Sequence, residues 1–424
     1  MAKWLVVILV VIACSTVYST QNVLKLNSYP DQPFYTVPIY IGTPAQVFEV
    51  QVDTTTSETW VPSINTTRPI TVKYDGTKSK TATVTNKTIE LDDEEGDVSG
   101  KATFDNIKVG DYEFDNFGFV QVVNYDIETF TDYQNGKLGF GFKQERGEAF
   151  DFVQMLKYKK LIDKEMFTIV PKSKELVIGE LPQQYKDVKM SSCNLTETDD
   201  LDDDYRPGWV CELTHVFLYQ NYNSSSKAYS IDNAHEVESR VIFDSAYNYI
   251  SLPKQFLSLI KDNLIKPIFN DTCYEVRASH EKYFVCEYNQ DKLAKVAVTF
   301  VIGGYGYVLR ASELFVKTTE GTVELLMRFK EENDNIWALG LPFLNSFTTV
   351  YDYELKKVGF FEGERIDMEN EWNMWMNGET PKQKQERIRS LIVAASVIGG
   401  ILLLIVICLI VRSCKKQKLH GPEL

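Results

Sequence analysis

The sequence predicts a mostly β protein: two related lobes around a central cleft, followed by a C-terminal transmembrane helix. Three observations predict it. Short alternating apolar runs bounded by Gly, Pro, Asn or Asp recur through the middle of the chain. A β run ending in an aspartate and a hydroxyl residue occurs twice. An apolar stretch from Leu391 to Val411, broken only by Ser396 and Gly399-Gly400, is long enough to cross ~30 Å of hydrocarbon as a helix.

Composition narrows the classes further. At 424 residues the chain exceeds one small domain, and 44% hydrophobic residues supply a large core. A net charge of −14 argues against a nucleic-acid partner, which needs a basic face. Four histidines and no Cys-x-x-Cys pair leave no metal site to expect, and no cofactor is implied.

The first element is a leader. Lys3 precedes an apolar run from Trp4 to Ala13, too short to span a bilayer, and small and polar residues follow. Residues 1–20 therefore read as a signal peptide, cut between Ser15 and Gln21. At the other end, 363–389 is a polar stem, 390–411 the span and 412–424 a tail. Basic residues flank both sides of the span (Lys382, Lys384, Arg387 and Arg389; Arg412, Lys415, Lys416 and Lys418), so charge bias does not orient it. The signal does, giving a single-pass type I protein of the secretory pathway or cell surface. The polar tail argues against a GPI signal.

Between these ends lie four cysteines, Cys193, Cys211, Cys273 and Cys286, an even number suited to an oxidising compartment. They allow three connectivities; 193–211 with 273–286 closes the smallest loops and is the expected one. Five sequons, at Asn65, Asn86, Asn194, Asn223 and Asn270, all precede the span, as in a glycosylated ectodomain. Cys414, beside the span, is a palmitoylation candidate.

Strands are expected at 37–41, 48–52, 101–109, 167–169, 176–179, 296–302 and 348–353. Helical spacing marks 149–161 and 254–264. Gly303-Gly304 reads as a hairpin turn, and the acidic run 199–204 as a solvated loop rather than a calcium site.

The internal repeat organises these pieces. Val52-Asp53-Thr54-Thr55 and Phe243-Asp244-Ser245-Ala246 each end a β run, and Pro62 and Pro253 follow nine positions after each aspartate. Lys137-Leu138-Gly139-Phe140-Gly141 pairs with Trp337-Ala338-Leu339-Gly340-Leu341; the glycines trail the aspartates by 86 (139 − 53) and 96 (340 − 244) residues. Two lobes follow, 21–184 and 185–362, meeting near Gln184 and each offering one aspartate at a strand end.

With Tyr40-Ile41-Gly42-Thr43-Pro44-Ala45-Gln46, Trp60-Val61-Pro62-Ser63 and the closing run from Trp337 to Phe360, the chain resembles the pepsin family of aspartic peptidases from about Pro30 to Glu362. The resemblance implies a monomeric, bilobal acid-protease fold that takes a peptide or protein segment in its cleft. It implies that Asp53 and Asp244 form a dyad sharing one proton, because two close carboxylates do not both ionise cheaply. One would draw a proton from a bound water while the other donates to the scissile carbonyl. Thr54 and Ser245 would hold the two loops together, and Cys273–Cys286 would match a second-lobe bridge.

Several residues depart from the family pattern. Thr55 and Ala246 stand where it has glycine, and β-branched Thr55 is expected to crowd the water and to resist a positive φ. Tyr247 replaces a small hydroxyl residue, whereas Thr56 keeps one. Asp93 falls where a flap tyrosine closes over substrate, leaving Trp60 without its usual partner; Tyr74 and Tyr112 are the alternatives. The four acids Asp92-Asp93-Glu94-Glu95 would raise the dyad's proton affinity and repel acidic peptides. Tyr40 follows the expected signal cut too closely for the family's basic pro-segment. Three readings stay open: an aspartic endopeptidase, a pseudopeptidase that still binds peptides, and a surface glycoprotein using the fold as scaffold.

Overall fold

The computed structural model describes residues 23–28, 34–91, 98–125, 135–142, 151–196, 208–219, 229–231, 239–278, 281–318, 321–331, 335–368 and 389. Their strands fall into three sheets. The first has seven strands, in the order Thr36–Ile41, Gln46–Asp53, Lys137–Gly139, Trp60–Pro62, Tyr112–Tyr125, Val98–Val109 and Thr83–Leu91. Along Gln46–Asp53, Phe48, Val50 and Val52 alternate into the core, which puts a period-2 apolar face under the sheet.

The second sheet has thirteen strands, and its centre repeats the first. Arg240–Phe243 runs parallel to Ile336–Leu339 with Phe243 opposite Leu339, as Val52 lies opposite Leu138 in the first sheet. Next to those glycine-bearing strands lie the two short antiparallel strands Trp60–Pro62 and Ile250–Leu252. Each in turn runs parallel to one further strand, Tyr112–Tyr125 or Met327–Lys330. Parallel neighbours require a long crossover, and the 86- and 96-residue separations supply one in each half.

The third sheet joins the halves. Its six strands run Val23–Lys25, Glu175–Ile178, Met166–Val170, Thr348–Asp352, Lys357–Phe361 and Ser191–Asn194, so the chain's middle pairs with its last strands. Aromatic rings fill the core beside it: Phe167 stacks on Tyr351 at 4.5 Å and 10°, and Trp209 meets Tyr353 at 4.6 Å. The Phe140 carbonyl accepts from the Trp209 indole at 2.8 Å and from the Tyr353 hydroxyl at 2.9 Å. Those two bonds pin the first sheet's glycine strand to the second half of the chain.

Both expected disulfides are present. Cys193–Cys211 ties the joining sheet to the strand Val210–Tyr219, and Cys273–Cys286 links residues directly opposite each other in a hairpin. Gly303-Gly304 forms the turn between Ala297–Ile302 and Tyr305–Arg310, with both glycines at positive φ. The first helix is shorter than its pattern, Phe152–Tyr158, because Asp151 caps it by accepting from the Gln154 N–H. The second is longer, passing through 3-10, α, π and α turns from Lys254 to Phe269; Pro267, which has no N–H, breaks the regular ladder there.

The second lobe also continues past Glu362. Glu364–Asp367 pairs with Tyr305–Arg310, and Met368 is buried against it, so the first residues assigned to the stem belong to the sheet. Residues 1–20, the acidic run 199–204 and the expected span 390–411 lie outside the described residues. Among the described residues no helix is long and apolar enough to cross a membrane.

Candidate active site

The two aspartates end equivalent strands. Asp53 closes the strand beside Lys137–Gly139, and Asp244 follows the strand beside Ile336–Leu339; both are fully buried. Each loop is stapled to its neighbour: Phe140 N–H donates to the Asp53 carbonyl at 2.7 Å, and Asp244 N–H donates to the Leu339 carbonyl at 3.1 Å. The glycines allow that approach. A Cβ on Gly139 would lie 2.6 Å from the Ser57 backbone, and one on Gly340 only 2.1 Å from the Tyr249 carbonyl oxygen.

Five buried hydrogen bonds then cross from one loop to the other, including a longer one from Thr54 Oγ1 to Ser245 Oγ at 3.3 Å. Thr54 N–H donates to Ser245 Oγ at 3.0 Å, and Ser245 N–H donates to Thr54 Oγ1 at 3.0 Å. The hydroxyls donate onward: Thr54 Oγ1 to the Phe243 carbonyl at 2.8 Å, Ser245 Oγ to the Val52 carbonyl at 2.7 Å. Asp53 and Asp244 therefore each sit one residue before this crossing. Alternating donors and acceptors leave both hydroxyls satisfied without water.

Thr55 departs from one part of its expectation, the strained backbone. It is not among the residues with positive φ, so its backbone is unstrained. Its side chain turns inward instead: Thr55 Oγ1 donates to Asp53 Oδ1 at 2.6 Å, beside the Thr55 N–H at 2.8 Å and the Thr56 N–H at 3.2 Å. Ala246 contributes only its backbone N–H, to Asp244 Oδ1 at 2.7 Å.

One functional contact lies outside the sequence reading altogether. Lys137 is 1% exposed, and its Nζ lies 2.9 Å from Asp53 Oδ2. Burial alone would raise the Asp53 carboxyl, but the Lys137 charge and the Thr55 hydrogen bonds outweigh it and hold the group below the ordinary carboxylate range. The signal was available in the repeat: two residues before the second glycine, Ala338 occupies the position equivalent to Lys137.

Around this centre, Trp60 is buried and meets Tyr125 edge to face at 5.7 Å. Asp93 lies outside the described residues, between Thr83–Leu91 and Val98–Val109 in sequence. Neither alternative tyrosine replaces the flap residue. Tyr74 is a core ring donating to Asp105 Oδ2 at 2.7 Å, and Tyr112 is buried and donates to the Ile178 carbonyl at 3.3 Å. Tyr247 stacks on Tyr249 at 4.8 Å, next to the second loop. Asn65, Asn86, Asn194 and Asn270 are exposed, while Asn223 lies outside the described residues. Among the described residues no cluster of His, Cys, Asp and Glu could hold a metal.

Two repeated β lobes, joined through paired acidic loops, define the class of bilobal aspartic-peptidase folds. The family model for eukaryotic aspartyl proteases matches residues 34–362, and the chain belongs to that family. Curated relatives agree along most of the length. Renin of Canis lupus familiaris is 23% identical over 357 residues, 79% of this chain and 80% of the relative. Cathepsin D of Gallus gallus is 24% identical over 357 residues, covering 79% and 82%. Plasmepsin IV of Plasmodium falciparum (isolate 3D7) is 26% identical over 346 residues, covering 76% and 67%.

Proposed function

We propose that this protein is a membrane-anchored ectodomain of the aspartic-endopeptidase type, which takes an extended peptide segment in the cleft between its lobes. The observation that carries the reading is the Thr54–Ser245 crossing, because it holds two buried aspartate loops face to face. In the reaction this supports, the ionised carboxylate takes a proton from water as the water oxygen bonds to the scissile carbonyl carbon. The protonated carboxyl passes its proton to the carbonyl oxygen, giving a gem-diol. Collapse then breaks the C–N bond: the nitrogen takes one proton from the dyad, and a diol hydroxyl returns one to it. Neither a covalent intermediate nor a cofactor enters the balance.

The setting follows from the chain's ends. A signal read at 1–20, a span read at 390–411 and five sequons support a setting with the folded lobes in the lumen or outside the cell and 412–424 in the cytosol. The two disulfides are consistent with that compartment.

A second reading, peptide binding with impaired hydrolysis, is favoured by two contacts at Asp53: the Thr55 hydroxyl on one oxygen and the Lys137 ammonium on the other. Digestion of a peptide library by the full chain from about pH 3 to about pH 6, with Asp53→Asn as control, separates the readings. Cleavage abolished by Asp53→Asn supports the endopeptidase. Peptides retained but left intact by both proteins support the binder.

A further inference from the structure

We propose that the Lys137 ammonium takes the electrostatic place of the proton shared by the dyad, so that near neutral pH the cleft holds peptides without cutting them. This deepens the reading just given and rests on its premise that peptides enter the cleft.

The argument is one of charge. Two carboxylates sharing a proton carry a net −1. Two ionised carboxylates beside one ammonium also carry −1, with no proton at all. At a site this buried, the like-charge repulsion that normally forces one carboxyl to keep its proton is relieved by whichever cation is nearest. Here that cation is 2.9 Å away and covalently part of the chain. The proton it displaces is the one hydrolysis passes to the carbonyl oxygen, so the pair keeps its base and loses its acid.

Among the described residues, the groups seen to act on the dyad do not restore that proton. Thr55 and Thr56 only donate to Asp53, through one hydroxyl and two N–H groups. Tyr351 and Tyr249, which both feel the Asp244 charge, are kept neutral by burial first of all. Glu281 and Arg328 stand beyond Tyr249, and Arg328 bonds to Glu281 and Glu324 as well as lying over the Tyr249 ring. Lys137 is thus a charge-setting residue acting through Asp53. Its counterpart in the other lobe, Ala338, is apolar and buried, so the fold itself does not require a cation at this position.

The test uses the full chain in detergent as wild type, Lys137→Met and Lys137→Arg, with infrared titration of carbon-13-labelled aspartate. Lys137→Met should raise by at least about one unit the pH at which a buried aspartate takes up its proton, while Lys137→Arg leaves it in place. An unchanged titration in Lys137→Met overturns the proposal; if that variant does not fold, Lys137→Gln carries the same measurement. A peptide with a secondary alcohol in place of the scissile amide, and its deoxy counterpart, give the second readout. Wild type should bind the two about equally at pH 6, and Lys137→Met should prefer the alcohol at least about tenfold. Wild-type cleavage that is fastest near pH 7 and lost in Lys137→Met would make Lys137 the acid and overturn the proposal. Failure of the deoxy peptide to bind any of the proteins counts against the peptide-cleft reading alone, because the titration decides the role of Lys137 without peptide.

Discussion

Thr54 and Ser245 are bonded reciprocally: the backbone N–H of each donates to the hydroxyl of the other, both at 3.0 Å. Neither residue makes the contact with its own lobe, so the pair acts as a joint between halves. Removing one hydroxyl strands a buried N–H donor and a buried carbonyl acceptor on the other side, which costs about 1–3 kcal/mol. Thr54→Val and Ser245→Ala should each lose about that much in urea unfolding. The double variant should lose less than the sum by more than about 0.5 kcal/mol, since one joint cannot be broken twice. Strict additivity would show that the two side chains act independently.

Lys137→Met should have a stability cost that depends on pH. A cation removed from a buried pair leaves an uncompensated charge, worth about 3–5 kcal/mol at neutral pH. In the native protein the Asp53 carboxyl is held low, so its contribution is present above the unfolded value of about 3.9 and is lost as pH falls through the folded value. In Lys137→Met the carboxyl is raised by burial and can accept a proton instead. The difference between the two proteins should therefore be largest at pH 7 and shrink towards pH 4. Denaturation at both values checks it, and a pH-independent difference would contradict the ion pair's role.

Gly340→Ala should be far more damaging than Gly304→Ala. The new Cβ at Gly340 meets the Tyr249 carbonyl oxygen at 2.1 Å and the Tyr247 carbonyl oxygen at 2.5 Å, and backbone atoms cannot step aside singly. Overpacking of this kind costs about 1–3 kcal/mol or more. At Gly304 the Cβ meets nothing within 4 Å, and only the φ of +78° is strained. Melting temperatures in the opposite order would rule out the close approach described for the second aspartate loop.

The parts of this fold most legible in the sequence are those whose chemistry is local. Asp53-Thr54 and Asp244-Ser245 are visible as letters because a strand end, an acid and a hydroxyl are consecutive. Gly139 and Gly340 are visible because only glycine fits there. The cysteine pairing follows from loop size. Lys137 was hidden for the converse reason: it reads as one lysine in a run of small and apolar residues, and its meaning depends on a partner 84 positions away (137 − 53). Thr55 was visible as a misfit, but not the bond its hydroxyl makes to the Asp53 carboxylate, which depends on its rotamer. The helix at Lys254–Phe269 outran its periodic pattern because turns of different pitch continued it across Pro267.

The joining sheet sets an order of events during synthesis. Met166–Val170 finds one neighbour at once, in Glu175–Ile178, but its other neighbour is Thr348–Asp352, well over a hundred residues downstream. The seven-stranded sheet, complete by Gly139, can close while the rest of the chain is still being translated. The middle of the protein cannot. Until the last strands emerge, Met166–Val170 is an open edge with buried-type side chains, the kind of template that recruits the wrong strand. Pairing over such a separation is slow, because loop closure precedes any reward from the contacts. A chaperone that shields nascent edges would therefore act longest on this strand, and a chain released before Thr348 would leave it exposed for good.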